Sequence, residues 1–413
     1  MRRRLCAAAI AAALAAGISA VHLIGGGPFA EAATGSSASV PGGVEVGVPD
    51  TAPADPTGGT ATGAAGGVAT TARGTAGSPE QGVGSHVDTG AGAGPQTRST
   101  PPLTGPLRAL AARRGIAVGA TVMTSSNLTD SGYSALLGSE YSMLTPENDM
   151  KWSNVHPAPG VYDFTGPDLD VAFAQSHGMA VRGHNLAWAA DNPSWLTTVP
   201  FSRDQLIAIL HDHISTVVGR YRGKVAQWDV VNEGIGGFWW DHIGPDYIDM
   251  AFEWAHEADP SAELFYNDFG AEGLGGKADQ VFELVRGLRQ RGVSIDGVGL
   301  ESHFDLNPPP LGDIAANMHR LNALGLESAV TELDVRLAMP ANGPDLDRQR
   351  GIYNDMLRTC LAAINCKTFT TWGFTDKDSW IPSAYPGYGA ALPFDQSYAP
   401  KPAYYGLRAA LGG

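Results

Sequence analysis

From Pro106 onward, short apolar runs alternate with longer amphipathic stretches. The apolar runs predict eight β-strands, at Ala117–Val122, Ser142–Leu144, Ala180–His184, Val225–Val231, Glu263–Asn267, Gly297–Ser302, Ala329–Leu333 and Thr368–Phe374. The amphipathic stretches predict helices, among them Ser202–Tyr221, Tyr247–Ala258, Ala278–Arg291, Leu311–Leu324 and Leu346–Ala363. Alternating strands and helices build parallel β/α units, so the chain is predicted to be an α/β protein. Eight such units favour a closed (β/α)8 TIM barrel over an open doubly wound sheet, whose Gly-rich phosphate turn the sequence lacks.

The first 103 residues have a different composition. Three arginines precede an apolar run that extends to Val21, which is the order of an export signal, and we predict a signal peptide over residues 1–33. The alternative is that the apolar run stays uncleaved as a marginal membrane anchor. Residues 34–103 are rich in Gly, Ala, Thr and Pro and contain no aromatic residue, which predicts a disordered linker. The barrel is then residues 104–413, secreted to the extracellular space or held at the cell envelope.

The charge of the chain restricts its partners. Forty-two acidic against 27 basic side chains give a formal net charge of −15. This charge opposes binding to nucleic acid or to an anionic membrane surface and leaves a neutral polymer as a permitted partner. We expect no obligate protein partner, and membrane contact only if the N-terminal segment is uncleaved. The common zinc, phosphate-loop and serine-elbow motifs are absent, so neither a metal nor a cofactor is expected.

Cysteine usage agrees with export. Cys6 lies in the predicted signal peptide, which leaves Cys360 and Cys366 in the mature chain. An oxidising compartment favours a disulfide between these two residues, and two reduced thiols in the core are the alternative.

Two glutamates follow predicted strands and are separated by 99 residues, Glu233 after the fourth strand and Glu332 in the seventh. In a TIM barrel the C-terminal ends of the strands meet around one site, so both side chains are predicted to reach the same cleft. Paired carboxyl groups are what glycoside cleavage requires. Asn232 is expected to bind a sugar hydroxyl. We hypothesise a relay in which Asp229 orients His303, which donates to Glu332; a satisfied core histidine is the alternative.

Other residues at the predicted strand ends suit carbohydrate. Flat rings and hydroxyl-binding groups occur together there, namely Trp152, Trp188, Trp372 and Trp380 with Glu147, Asn148, Lys151, His184 and Asn267. A tryptophan is often buried in a core. The positions of Trp372 and Trp380 favour a role as sugar platforms.

Five segments carry a family resemblance: Thr145–Trp152, Arg182–His184, Trp228–Glu233, Ile295–Gly299 and Thr331–Asp334. On these motifs the chain from about Pro106 to Leu411 resembles glycoside hydrolase family 10, the endo-β-1,4-xylanases. The resemblance implies a retaining enzyme with Glu233 as acid/base and Glu332 as nucleophile. It places Glu147, Asn148 and Lys151 on the non-reducing side of the cut, and around the cleaved unit it places His184, Trp188, Asn232, His303, Trp372 and Trp380. It also implies a Cys360–Cys366 disulfide before the eighth strand.

Three residues depart from the family pattern. Ala189 and Asp191 stand where the family usually has His and Gln, and Glu301 stands where it usually has Gln. We expect Ala189 to leave room in the cleft, Asp191 to change hydrogen bonding to substrate, and Glu301 to raise the pKa of Glu233 by like-charge repulsion. Tolerated drift is the alternative. The sequence therefore predicts a secreted retaining endo-β-1,4-xylanase, with a same-fold β-glycosidase for another glycan or a non-catalytic carbohydrate-binding barrel as alternatives.

Overall fold

The structure is a computed structural model that describes residues 104–413. The predicted signal peptide at 1–33 and the predicted linker at 34–103 lie outside the described residues. Within the described range, no helix is long and apolar enough to cross a membrane.

Eight parallel strands form a closed barrel. They are β1 Ala117–Val122, β2 Met143–Pro146, β3 Ala180–Trp188, β4 Gln227–Asn232, β5 Glu263–Asp268, β6 Gly297–Leu300, β7 Glu327–Val335 and β8 Cys366–Thr371. Each strand pairs with the next along the chain, and β8 also pairs with β1, where Ala117 lies opposite Thr368. The prediction of a (β/α)8 barrel is confirmed.

A helix follows every strand and packs on the outside of the barrel. After β1 to β8 in turn these helices are Ser131–Glu140, Thr165–Ser176, Arg203–Arg220, Tyr247–Ala258, Gly276–Gln290, Leu311–Ala323, Gly343–Ala362 and Pro402–Leu411. Leu107–Ala112 precedes β1, and shorter helices lie at Ser125–Thr129, Trp152–Val155, Ser194–Thr197, Gly237–Ile243, Asp376–Asp378 and Ile381–Ala384. Three two-residue strands, His303–Phe304, Leu337–Ala338 and Tyr388–Gly389, lie in the loops after β6, β7 and β8. The loops at the C-terminal ends of the strands therefore carry extra structure around the site.

Local sequence explains where several helices begin. The carboxylate of Asp130 accepts hydrogen bonds from the next helix's first turn, and Ser202 and Gln205 form a reciprocal capping box. Asn342 caps the helix that begins at Gly343, and its side chain accepts from the backbone N–H of Asp345 at 3.0 Å. These side chains satisfy backbone donors that have no partner inside the helix.

A charged residue lies inside the barrel beneath the site. Arg182, in β3, is fully buried; it forms an ion pair with Asp229 of β4 and donates to Gln227 at 2.9 Å. Its guanidinium also lies over the ring of Phe265, 4.5 Å from the centroid. Burying a cation without such partners would destabilise the folded protein by several kcal/mol. These contacts therefore hold Arg182 and Asp229 in place beneath the site.

The two remaining cysteines are bonded. Cys360 lies near the end of the helix Gly343–Ala362, and Cys366 begins β8. Their Cα atoms are 5.2 Å apart, a usual spacing for a disulfide, and both side chains are buried. The predicted disulfide is confirmed, and it joins a helix to the barrel strand that follows it.

Removing this disulfide should lower the free energy of unfolding by about 2 kcal/mol, because the bridge restricts a short loop in the unfolded chain. The double variant Cys360→Ala/Cys366→Ala is compared with the oxidised wild type by urea unfolding. Wild type kept in reductant should show a similar loss. Equal stability of the variant and the oxidised wild type would contradict the prediction.

Candidate active site

A cavity of about 830 Å³ opens at the C-terminal ends of the barrel strands. Twelve residues predicted for the site line it: Glu147, Asn148, Lys151, His184, Trp188, Asn232, Glu233, Glu301, His303, Glu332, Trp372 and Trp380. The other two predicted residues, Asp229 and Asn267, are buried and hydrogen-bond to residues of this lining. The barrel thus brings side chains distant in sequence into one cleft.

Glu233 follows the last residue of β4 and has a left-handed backbone conformation, with φ 50°. Its backbone N–H donates to the carbonyl of Asn267 at 2.9 Å. Burial raises the pKa of the Glu233 carboxyl, a hydrogen bond from Trp188 opposes this shift, and the nearby carboxyls of Asp268 and Glu332 raise it further. Glu233 therefore stays protonated to higher pH than an ordinary glutamate.

Asp268, which ends β5, is a functional residue that the sequence analysis did not assign. Its carboxylate is fully buried, lies 2.5 Å from Lys277 Nζ, and accepts a hydrogen bond from Tyr266 at 2.9 Å. The charge of Asp268 acts on Glu233. The sequence signal was the position of Asp268 at the end of a predicted barrel strand, where side chains reach the site of a TIM barrel.

Glu332 lies within β7, and donors reach it from two sides. Asn267 Nδ2 donates to Oε1 at 2.7 Å, and His303 Nε2 lies 3.1 Å from Oε2. These contacts fix the orientation of the Glu332 carboxyl in the cavity.

The predicted relay is wrong about the residue that orients His303. His303 Nδ1 lies 3.0 Å from the carboxylate of Asp334, which also accepts from the indole N–H of Trp380 at 2.7 Å. Asp229 instead contacts His184 Nδ1 at 3.0 Å and pairs with Arg182. Strand register is the reason: Asp229 lies opposite His184, and Asp334 lies opposite His303.

Asn267 joins three strands. Its Nδ2 donates to Asn232 Oδ1 and to Glu332 Oε1, each at 2.7 Å, and its Oδ1 accepts from Thr331 Oγ1 at 2.7 Å. Gly299 in β6 makes room for this amide, because a Cβ there would lie 2.0 Å from Asn267 Oδ1. Asn267 therefore holds other residues of the site, and its role in binding hydroxyls stays a prediction.

The segment that follows β2 contributes three polar residues to the cavity lining. Glu147 is buried and accepts from Thr121 Oγ1 at 2.9 Å; burial raises its pKa to about 7, although Thr121 and Lys151 oppose the shift. Lys151 Nζ donates to Asn148 Oδ1 at 3.0 Å and lies 5.1 Å from the centroid of the Trp188 ring. A cation, an amide and an indole therefore lie side by side, as suits a sugar with its hydroxyls and apolar face.

The tryptophans separate into two groups. Trp372 and Trp380 line the cavity, and each packs edge to face against the ring of His303. Trp152 is 1% exposed and stacks on His213 with ring centroids 3.6 Å apart, so it belongs to the core. The platform assignment thus fits the positions of Trp372 and Trp380, and for Trp152 the core position holds.

At two of the three positions that depart from the family pattern, Asp191 and Ala189, the side chain contacts neighbouring residues of the protein. Asp191 accepts from the backbone N–H of Ser153 at 3.1 Å and from its hydroxyl at 2.5 Å, and it does not line the cavity. The space beside Ala189 is taken by Gly237, where an added Cβ would lie 2.7 Å from that of Ala189. These contacts favour the alternative, tolerated drift, at both positions.

The third departure, Glu301, does line the cavity and is 3% exposed. Burial raises the pKa of Glu301 well above its ordinary value, and the neighbouring Glu332 carboxyl raises it further. Among the largest influences on the pKa of Glu233 are the carboxyls of Asp268 and Glu332, which raise it, and Lys277, which lowers it; the Glu233 carboxyl in turn raises the pKa of Glu301. Ligand atoms of Glu301, His303 and Glu332 lie within 4.8 Å of one another, and His303 Nε2 faces Glu332 Oε2 at 3.1 Å.

The chain matches known proteins along its whole barrel. The family model described as glycosyl hydrolase family 10 matches residues 106–410. The chain is 38% identical over 313 residues to endo-1,4-beta-xylanase B of Thermotoga neapolitana, covering 73% of this chain and 90% of that protein. It is 36% identical to endo-1,4-beta-xylanase A of Phanerodontia chrysosporium, covering 75% of this chain and 78% of that protein.

Solved structures give the same result. Native xylanase 10B from Thermotoga maritima superposes with a TM-score of 0.72 at 38% identity, covering 74% of this chain and 98% of that one. Xylanase 10B from Thermotoga petrophila in complex with xylobiose gives 0.73 at 37% identity, covering 75% and 98%. With a family model matched over nearly the whole described barrel, this chain belongs to glycosyl hydrolase family 10.

Proposed function

We propose that the protein is a retaining endo-β-1,4-xylanase, with Glu233 as general acid/base and Glu332 as nucleophile. One observation carries the proposal: two glutamates share one cleft, and their surroundings differ. Burial and the nearby carboxyls of Asp268 and Glu332 raise the pKa of Glu233. Glu332 is held between the donors of Asn267 and His303. Retaining hydrolysis needs such an acid and such an oriented carboxylate on one glycosidic bond.

In the first step Glu332 attacks the anomeric carbon and forms a glycosyl ester. The bond to the leaving oxygen breaks as Glu233 gives that oxygen its proton. Asn267 and His303 hold the Glu332 carboxyl, so that no side-chain rotation is needed during the attack.

In the second step a water molecule attacks the same carbon, and the bond to Glu332 breaks. Glu233, now ionised, takes the proton from the water and returns to its starting form. Two displacements at one carbon leave the product with the configuration of the substrate.

The relatives support xylan as the substrate. Those reported above are named endo-1,4-beta-xylanases, and one was solved with xylobiose. Lys151, Trp188, Phe269 and Pro309 line the same cavity as the two glutamates. Polar and flat apolar side chains together suit a sugar chain.

We further propose that the mature enzyme is secreted. The basic and apolar start of the chain supports export, as does the Cys360–Cys366 disulfide, because such bonds persist in oxidising compartments.

The purified protein should release short xylo-oligosaccharides from xylan, with the newly formed ends first in the β configuration. Proton NMR of the anomeric signals during early hydrolysis measures this. Glu332→Ala should remove the activity, because no nucleophile is left to form the ester. Glu233→Ala should reduce cleavage of xylan by about 10² to 10⁴-fold, and less for an aryl glycoside whose leaving group needs no proton.

Glu283→Ala is the matched control, because Glu283 is an exposed helix residue paired with Arg286, and it should keep wild-type activity. Activity on cellulose or aryl glucosides but not on xylan would move the assignment to another β-linked substrate. Undiminished activity of Glu332→Ala would overturn the nucleophile.

The alkaline limb of kcat/KM should follow the ionisation of Glu233, because the acid form is lost as pH rises through its pKa. Asp268→Asn removes a negative charge that raises this pKa, so the limb should move to lower pH, by about one unit. A pH profile with a soluble xylo-oligosaccharide measures the shift. Asp279→Asn, which removes an exposed carboxylate paired with Arg320, should leave the limb in place. An unmoved limb in Asp268→Asn would rule out this influence.

Secretion is tested by expressing the full chain in a bacterial host with an intact export pathway. We expect activity in the medium or the cell envelope and a mature N-terminus within residues 20–35. N-terminal sequencing of the active protein measures this. A protein that retains Met1 and stays in the membrane fraction would instead favour the uncleaved anchor.

A further inference from the structure

Glu301 is a buried carboxyl for which the proposed mechanism has no use. It lies directly after β6, and only 3% of it is exposed. Its Oε1 is 3.3 Å from Asn267 Nδ2, and its Oε2 is 3.7 Å from His303 Nε2. Both of these donors also serve Glu332, so the two carboxyls compete for them.

The number of N–H groups on Asn267 and His303 shows which carboxyl they bind. The amide of Asn267 carries two, and two acceptors lie nearer than Glu301: Asn232 and Glu332, each at 2.7 Å. The single Nε2 hydrogen of His303 faces Glu332 at 3.1 Å rather than Glu301 at 3.7 Å. An ionised Glu301 would therefore be a buried charge without a donor of its own, which costs far more than a neutral acid.

The charges around Glu301 act in the same direction. Three acidic groups face it, Glu332 from β7, Glu233 from β4 and Asp268 from β5, and His303 is the one cation among its main influences. His303 already faces Asp334 and Glu332. Lys277 is paired with Asp268. Burial and these carboxyls hold the pKa of Glu301 well above its ordinary value, against the opposing effect of His303.

One carboxyl oxygen of Glu301 lies within 4.8 Å of one of Glu332. We propose that Glu301 works as a neutral carboxylic acid that donates a hydrogen bond across this gap to the Glu332 carboxyl, which makes it a positioning residue for the nucleophile. The inference rests on the proposed function, because it assigns Glu301 a role relative to Glu332. An O–H here supplies the donor that the N–H of an amide would supply, without adding charge to the site. When Glu332 carries the sugar as an ester, its carbonyl oxygen still accepts this bond, which stabilises the carboxylate that departs in the second step.

Two variants test whether Glu301 acts as a hydrogen-bond donor or as a negative charge. Glu301→Gln keeps a donor and has no ionisable group, and Glu301→Met has similar length and no donor. We expect kcat of Glu301→Met to fall about tenfold to a hundredfold below that of Glu301→Gln, the range for a hydrogen bond to a charged group, with little change in KM. The alkaline limb of Glu301→Gln should lie within about 0.3 pH unit of that of wild type, because no charge has been removed.

Two outcomes would overturn the proposal. Equal kcat in the two variants would exclude a donor role. A limb displaced to lower pH by about one unit or more in Glu301→Gln would mean that wild-type Glu301 is ionised and raises the pKa of Glu233.

A second measurement needs neither turnover nor a folded Met variant. Infrared difference spectra of the unliganded protein at neutral pH, wild type against Glu301→Gln, should contain one protonated-carboxyl band that the variant lacks. Absence of that band would contradict the proposal even if xylan is cleaved. Its presence in a protein that cleaves no xylan would leave the neutral acid standing and reject only the proposed substrate.

Discussion

The side chain and backbone of Asn267 hold both glutamates of the site. Its carbonyl accepts the backbone N–H of Glu233, and its amide donates to Glu332 and to Asn232. The two glutamates come from strands that are not neighbours, and β5 supplies the residue that connects them. A fixed spacing between proton donor and nucleophile therefore depends on one amide, which is itself held by Thr331 and given room by Gly299.

Glu233 and Glu332 have different roles because their neighbouring residues differ. Burial and acidic neighbours raise the pKa of Glu233, whereas an amide and an imidazole hold the carboxyl of Glu332 in place. Below them, the buried Arg182 neutralises Asp229, so the floor of the cavity adds no uncompensated charge. The division of roles follows from the surroundings, as two-carboxyl catalysis requires.

Much of the fold was predictable from the sequence, because alternating apolar and amphipathic stretches report burial directly. All eight strands were located, although β3 extends to Trp188, four residues beyond the predicted end, because it continues to pair with β4. Spacing alone did not show that Asp334, and not Asp229, contacts His303, because this contact depends on the register of neighbouring strands. One clue was present: Asp334 follows Glu332 by two residues in the same strand, which places both side chains on one face.

The three departures from the family pattern show why a substitution in or near a cleft cannot be judged by residue type alone. Ala189 gives up volume, and the backbone at Gly237 occupies it. Asp191 gains a charge, and the donors of Ser153 satisfy it at the rim of a short helix. Glu301 also gains an ionisable group, but it lies where nearby donors are already committed to Glu332. A buried carboxyl in that position must acquire either a cation or a proton. Among its main influences His303 is the only cation, and His303 is shared with two other carboxyls, so the proton is the physically consistent choice.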